Sequence, residues 1–385
     1  MSKVKAVVFV GPGQMEVREY PIPRLEDGAM LLKVEMSGIC GTDKHTFRGE
    51  VLQYAGTAAE MRTPFPIIPG HENVGIVAGI SPSARKRLEF DGQPLAEGDR
   101  VVMCPDIVCG RCYPCRYGAG YLWCDNMRSY GNSFSCAEPP HLMGGWAEYM
   151  YIRPDTFVYK VPDGIPPRIA VLAELFACAW SLEKAKEFYA MDGEGFQAGG
   201  TVVVQGVGPL GILHVIKARL MGAGEIIAID RSDLRLGLAA KCGAGVCINA
   251  ANTTAEQRIE QVRSLTRGRG ANVVAECVGL ADAVLEGLEM VQKGGVYIEA
   301  GNFVETGTVE ISPHRHLCAK NIRLVGAANH PVTAYAPALR LMQAYKDLIP
   351  FGEIVTHEYP LDKAAEAMRK SLSGDSMKVV FAPGR

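Results

Sequence analysis

Four cysteines crowd into 16 positions: Cys109-x-x-Cys112-x-x-Cys115, then Cys124 after eight more residues. Four soft thiolates in one short loop suit a closed, tetrahedral Zn²⁺ site. Such a site has no open position, so it would be structural. The alternative, a group of unbonded packing cysteines, fits poorly with the strict three-residue spacing and the intervening Gly, Arg and Pro. Cys104 lies just upstream and falls outside the pattern. A second set is dispersed: Cys40, His71, Glu72 and Glu174. Its spacing alone says little, because a Cys at a strand end is usually packing and a His-Glu pair is commonplace. Neighbours on a strand face opposite ways, so His71 and Glu72 can share a metal only if the backbone bends, and Gly70 permits a bend. Glu174 reads either as a solvated helix residue or as a buried carboxylate in the apolar run VLAELFACAW. A buried carboxylate needs a partner, and a metal would serve.

A third constellation binds rather than reacts. The β-branched run TVVVQ ends at Gly206-Val207-Gly208-Pro209-Leu210-Gly211, and an apolar helical run follows. A second strand, EIIAID, ends at Asp230, 19 residues after Gly211. Strand, G-x-G-x-x-G, helix, strand and acid together predict a dinucleotide site. Gly206 allows the turn, Gly208 leaves room for a pyrophosphate, and Gly211 lets the helix lie on the strand. The helix N-terminus offers free N–H groups to the phosphates. Asp230 would take the ribose hydroxyls and favour NAD over NADP. Arg231 and Arg235 pull the other way, since a guanidinium accommodates a phosphate.

These residues need elements to hold them. The 385 residues allow two ordinary domains, and 48% hydrophobic with 21% charged residues fits a globular chain. Net charge is −2 with no long basic or acidic run, which gives no electrostatic support to a nucleic-acid or membrane-surface role. MSKVKAVVFV reads as a strand rather than a signal peptide, and no stretch approaches a membrane span, so a cytoplasmic protein is expected. Twelve cysteines, five of them between Cys104 and Cys124, point to metal rather than to a disulfide framework.

Residues 1–36 alternate as antiparallel strands, and a short helix is expected to begin near Cys40. Residues 50–66 read as a loop and 81–98 as a polar surface insertion. A helical pattern covers 167–190. From 199 to about 330, six strands alternate with helical segments, predicting a doubly wound parallel sheet. The last part, with two helices and two strands, is expected to fold back onto the N-terminal domain.

The ordered motifs G-I-Cys40-G-T-Asp43-x-His45, G-His71-Glu72, the four-cysteine lobe, GVGPLG and Asp230 resemble the zinc-dependent medium-chain alcohol dehydrogenases. The resemblance runs over nearly the whole chain. It implies an α/β fold: a GroES-like, β-rich catalytic domain (1–175), a Rossmann NAD-binding domain (176–334) and a C-terminal return to the catalytic domain (335–385). It implies two zincs per chain, one catalytic and one structural. Cys40, His71 and an acidic residue, Glu72 or Glu174, would hold the catalytic zinc in the cleft. Glutamate at 174, where many relatives carry cysteine, looks more like the sorbitol, threonine and polyol dehydrogenase branch. DGQPLAEGDR and PPHLMGGWAEY also resemble a cyclitol dehydrogenase subgroup, from which Glu174 departs.

An open zinc site lowers the pKa of a substrate hydroxyl, and its carbon then gives hydride to nicotinamide. The resemblance implies that Thr42 takes the proton and passes it towards His45, an imidazole suited to shuttling. Pro209, Leu210, Arg235 and Val278 join the glycines, Asp230 and Arg231 as expected cofactor contacts. Cys178 is either a nicotinamide neighbour or packing. The expected substrate is a secondary alcohol of polyol, cyclitol or hydroxy amino acid type, and the expected assembly a homodimer or homotetramer. Two rivals stand beside this reading. One is a zinc-free quinone or enoyl reductase on the same fold, and the other a non-enzymatic NAD-binding protein. Substrate choice would lie in the 50–66 loop, Phe47, Tyr54, the 125–143 segment and the run SPHRHLCAK with His314 and His316.

Overall fold

Apolar alternation builds the first third of the chain. The computed structural model describes residues 3–56, 60–118, 123–186 and 194–384. It divides into two units, Met1–Ala177 with Pro331–Arg385, and Cys178–His330. In β1 (Lys3–Gly11), Lys3 and Lys5 face solvent while Val4 and Ala6 are buried, the period expected of a half-covered strand. It pairs antiparallel with β2 (Gln14–Pro21). The elements that follow are β3 (Met30–Gly38), α1 (Gly41–Arg48), β4 (Asn73–Ile80), β5 (Arg100–Met103), β6 (Tyr149–Ile152), β7 (Val158–Lys160) and α2 (Ala173–Cys178).

The second unit is a parallel sheet. Its strands are β8 (Thr201–Gln205), β9 (Glu225–Asp230), β10 (Val246–Asn249), β11 (Ala271–Glu276), β12 (Val291–Glu299) and β13 (Arg323–Gly326). Helices α3 (Pro209–Leu220), α4 (Asp233–Cys242), α5 (Ala255–Leu265) and α6 (Ala281–Met290) connect the first five strands. The spatial order β10-β9-β8-β11-β12-β13 is the doubly wound order 3-2-1-4-5-6. Val202, Val203 and Val204 are all fully buried, as a strand covered by helices on both faces requires.

The chain then returns to the first unit with α7 (Tyr335–Tyr345), β14 (Val355–Tyr359), α8 (Ala364–Leu372) and β15 (Lys378–Phe381). β15 pairs antiparallel with β3, through Val380 opposite Gly38, and β14 runs parallel to β15. The resulting seven-stranded sheet has the order β7-β5-β4-β3-β15-β14, with β6 also on β3. Trp146 sits between Phe9 and Phe381, with ring centroids 5.4 and 4.8 Å away, and locks the returning strand to the first one.

Three expectations need correction. The 81–98 segment is not simply a surface loop: it contains a helical turn, Ala84–Arg87, and Ala84, Leu88 and Leu95 are buried in the core. The 167–190 pattern is not one helix. It breaks into Pro167–Ala170, α2 and a 3₁₀ segment, Ala179–Ala185, and positions 187–190 lie outside the described residues. The 50–66 loop holds a two-rung hairpin, Leu52–Gln53 with Met61–Arg62, while 57–59 also lie outside the described residues.

Candidate active site

Sheet register brings the dispersed set together. Ser37 at the end of β3 pairs with Asn73 at the start of β4, so Cys40 and His71-Glu72 leave the sheet at the same edge. The returning β15 reaches that edge too. Asp43, 1% exposed, ties the segments: one carboxylate oxygen accepts the Cys40 N–H (2.7 Å) and the other the Gly70 N–H (3.3 Å). Gly70 has φ +94°, and a Cβ there would lie 2.3 Å from Trp146 Cδ1. This is the bend that lets consecutive His71 and Glu72 serve one place.

The donor atoms of Cys40, His71 and Glu72 lie within 4.8 Å of one another. His71 and Glu72 are buried, and among the described residues His71 Nδ1 has no hydrogen-bond partner. Burial pulls the His71 pKa down, yet the negative groups of Cys40, Asp43 and Glu174 outweigh it and leave the net value well above the usual one. The S, N and O donors of the trio fit zinc. Glu174 is buried and lies outside that tight trio, but it acts on the same charges. Burial pushes its carboxyl up to about 7, with His71 opposing and Glu72 adding to the shift.

Glu72 has a partner that sequence reasoning missed. Lys378, 1% exposed, donates to its carboxylate and to the Ile39 carbonyl (3.0 Å). The signal was available: a lysine opens the otherwise apolar strand KVVF, as Glu174 interrupts an apolar helix. Thr42 Oγ1 lies 3.9 Å from Cys40 Sγ. His45 stands one turn further along α1, and its Nδ1 meets Glu50, another partner not foreseen.

In the lobe, Cys109, Cys112, Cys115 and Cys124 also gather within 4.8 Å. The Cys109–Cys115 and Cys112–Cys124 sulfurs are both 4.0 Å apart, close to the about 3.8 Å that a tetrahedral Zn–S₄ centre requires. The Cys109 and Asn126 N–H groups point at Cys124 Sγ (3.2 and 3.4 Å). The backbone N–H groups of Arg111 and Cys112 lower the Cys109 thiol to about 6. No disulfide joins any of the twelve cysteines.

In the second unit, Gly208 leaves its turn open: a Cβ there would meet nothing nearer than Arg235 Nη1 at 3.5 Å. Gly211 is confined, since its Cβ would fall 1.8 Å from the Gly206 carbonyl oxygen. Pro209 occupies the first helical turn of α3. Asp230 accepts the Val207 N–H (2.9 Å) and the Ser232 N–H (3.0 Å), and Arg235 Nη1 is 3.8 Å from it. Val278, 45% exposed, follows β11. His316 is buried, accepts the Ser312 N–H (3.0 Å) and lies 3.4 Å from Glu289. Phe47 packs on Phe9, with centroids 5.4 Å apart.

Comparison with known proteins follows the same division. Residues 26–163 match the alcohol dehydrogenase GroES-like domain and residues 209–344 the zinc-binding dehydrogenase family. The chain is 32% identical to 5-exo-hydroxycamphor dehydrogenase of Pseudomonas putida, covering 99% of both chains. It is 32% identical to erythritol/L-threitol dehydrogenase of Mycolicibacterium smegmatis, over 99% of this chain and 98% of that one. The crystal structure of an alcohol dehydrogenase from Thermotoga maritima superposes with a TM-score of 0.88 at 31% identity, covering 99% of this chain and all of the other. With likeness along its whole length, a zinc-type donor set and a dinucleotide-binding sheet, the chain belongs to the zinc-dependent medium-chain alcohol dehydrogenases, oxidoreductases that use zinc and a nicotinamide cofactor.

Proposed function

We propose that this enzyme oxidises a small secondary alcohol of polyol type with NAD⁺, carrying one catalytic and one structural zinc per chain. The observation that carries the reading is the gathering of the Cys40, His71 and Glu72 donor atoms within 4.8 Å of one another. A bound zinc there supplies Lewis acidity, which makes an alcohol proton easier to remove. Cys40 and His71 are the fixed donors. Lys378 holds Glu72, and the third protein ligand is either Glu72 or Glu174, whose carboxyl burial pushes up to about 7. Thr42 beside Cys40 accepts the proton, and His45, backed by Glu50, delivers it towards solvent. Asp43 keeps the Cys40 and Gly70 segments in register for all of this.

Asp230 at the end of β9 supports NAD over NADP. Gly206, Gly208, Pro209, Leu210, Gly211, Arg231, Arg235 and Val278 complete the cofactor contacts in this reading. The polyol class is drawn from the erythritol/L-threitol relative and from sorbitol dehydrogenase of Bacillus subtilis, 28% identical over the full chain. Among the described residues no helix is long and apolar enough to cross a membrane. We place the enzyme in the cytoplasm as a homodimer or homotetramer, which light scattering of the purified protein would measure. The deciding experiment is metal content per chain together with NAD⁺ reduction over polyols, cyclitols, threonine and simple secondary alcohols. Two zincs and turnover on a polyol support the reading. A single zinc with no turnover would sink the catalytic-zinc assignment and revive the zinc-free reductase.

A further inference from the structure

Three polar residues line up where apolar ones would be expected. At the C-terminal ends of β8, β11 and β12, Gln205 pairs with Glu276 and Glu276 with Glu299 across the parallel sheet. Glu276 is fully buried. Its Oε1 accepts the N–H groups of Val278 (2.6 Å) and Gly279 (2.9 Å). Its Oε2 is buried with no N–H or O–H donor among the described residues. Glu299 is the mirror case: its Oε1 accepts Gly301 N–H (3.2 Å), Asn302 N–H (3.1 Å) and Asn302 Nδ2 (3.0 Å), and its Oε2 accepts the Tyr297 hydroxyl (3.3 Å). Each carboxyl thus anchors the turn that follows its own strand, and as register partners the two side chains stand side by side on one face of the sheet.

Two adjoining carboxylates, Glu276 fully buried and Glu299 half-buried, resist being ionised together; a single proton between them turns repulsion into a hydrogen bond. We infer that Glu276 and Glu299 share one proton, and that this acid–carboxylate pair holds the 278–279 and 301–302 turns in the form that binds the dinucleotide. The inference rests on the dinucleotide reading of the glycine-rich loop. The link to that loop is direct packing. A Cβ at Gly206, the first glycine, would fall 2.8 Å from Val278 Cγ2 and 3.0 Å from Val278 N. The second turn is equally close: a Cβ at Gly301 would meet Glu276 Oε2 at 2.2 Å and Gly279 N at 2.4 Å. Any separation of the carboxyls therefore moves both turns and the floor under Gly206. Glu276 and Glu299 are positioning residues in this scheme, since they act through Val278.

The sign follows from the surroundings. The titratable groups facing the pair are Tyr297 and Cys277, both raised by burial and so neutral. From β8 comes neutral Gln205, and from α6 the side-chain-free Gly287, whose Cβ would lie 2.3 Å from Gln205 Oε1. Burial and then the Glu299 carboxyl push Glu276 up to about 8, against the lowering effect of the Gly279 and Val278 N–H groups. Below that value the pair holds its proton. Above it the proton leaves for bulk water, two negative charges face each other, and the turns are driven apart.

The test is the dissociation constant of NADH, read by fluorescence on the zinc-loaded enzyme from pH 6.5 to 9.5, for wild type, Glu299→Gln and Glu276→Gln. Either glutamine keeps an acceptor for its turn and offers an amide N–H to the remaining carboxylate, so the pair no longer titrates. In the wild type the constant should climb above pH 8, by up to about tenfold per pH unit in the one-proton limit. Each variant should lose one proton from that slope, whatever pH dependence other groups contribute. The same slope in all three proteins would overturn the proposal. A neutral carboxylic acid band at pH 7 in the wild-type-minus-variant infrared difference spectrum, where the Glu174 carboxyl cancels, tests the shared proton without cofactor. If that band is missing from the wild type, the pair is refuted. If the band is present but NADH binds at no pH, the coupling falls along with the dinucleotide reading, while the shared proton stands.

Discussion

At the scale of single residues, the site depends on side chains whose charge is settled by what they touch. Thr42 is the clearest functional test. Thr42→Ala should lower turnover by about a hundredfold, the lower range for losing a positioned proton acceptor, with NADH affinity unchanged. Equal losses in both would assign Thr42 to binding instead. Lys378 tests stability. Replacing it with methionine leaves the Glu72 charge buried without its partner, at a cost of about 3 kcal/mol or more. Denaturant unfolding should show that loss, and Glu72→Gln in the same chain should recover part of it. An unchanged midpoint for Lys378→Met would mean Glu72 finds compensation elsewhere. The gathering of the four cysteines was legible in the sequence because they are local, within one loop. Cys40 and His71 were not legible from spacing, since only the Ser37–Asn73 register joins them. Family resemblance, not periodicity, pointed to that pair.

At the scale of elements, α3 carries an unusual passenger. His214 is fully buried; it donates Nδ1–H to the Leu210 carbonyl (2.9 Å) and accepts the Ser181 hydroxyl at Nε2 (2.8 Å). Burial lowers its pKa from the ordinary 6.5 to about 4. The folded chain therefore keeps it neutral where the unfolded chain protonates it. Its contribution is complete above pH 6.5 and is lost as pH falls towards 4, about 3 kcal/mol in all. Unfolding free energy measured across that interval should lose one proton of slope in His214→Gln; an identical slope would show that His214 titrates normally. The elements themselves were legible where one rule dominated. TVVVQ had to be a covered strand, and the glycine spacing had to turn. The 81–98 segment misled because its polar average hid Ala84 and Leu88, four apart on one helical face and both in the core. The 167–190 pattern misled because its apolar residues are buried by tertiary packing that a broken helix serves as well as a straight one.

At the scale of the whole molecule, one unit is continuous in sequence and the other is not. The Cys178–His330 unit contains all six strands of its sheet, whereas the first unit needs residues 331–385 to supply β14 and β15. A chain ending at His330 should fail to form a stable catalytic unit, because β3 loses its neighbour and Glu72 its lysine. The fragment 178–330 should fold alone and bind NADH. Cooperative melting with full zinc content in the 1–330 chain would refute this asymmetry. The order of motifs announced the return of the chain, but the partner of Glu72 waits 306 residues downstream, beyond the reach of any local pattern. That separation has a consequence for biosynthesis. On the ribosome the nucleotide-binding sheet is complete while the last strand is still in the exit tunnel, and domains fold as they emerge. The buried acid beside Cys40 and His71 meets its counter-charge only after 306 further residues have been made. The pocket around Cys40 and His71 thus matures after the parallel sheet, and a chain terminated between the two would carry a finished sheet and an incomplete pocket.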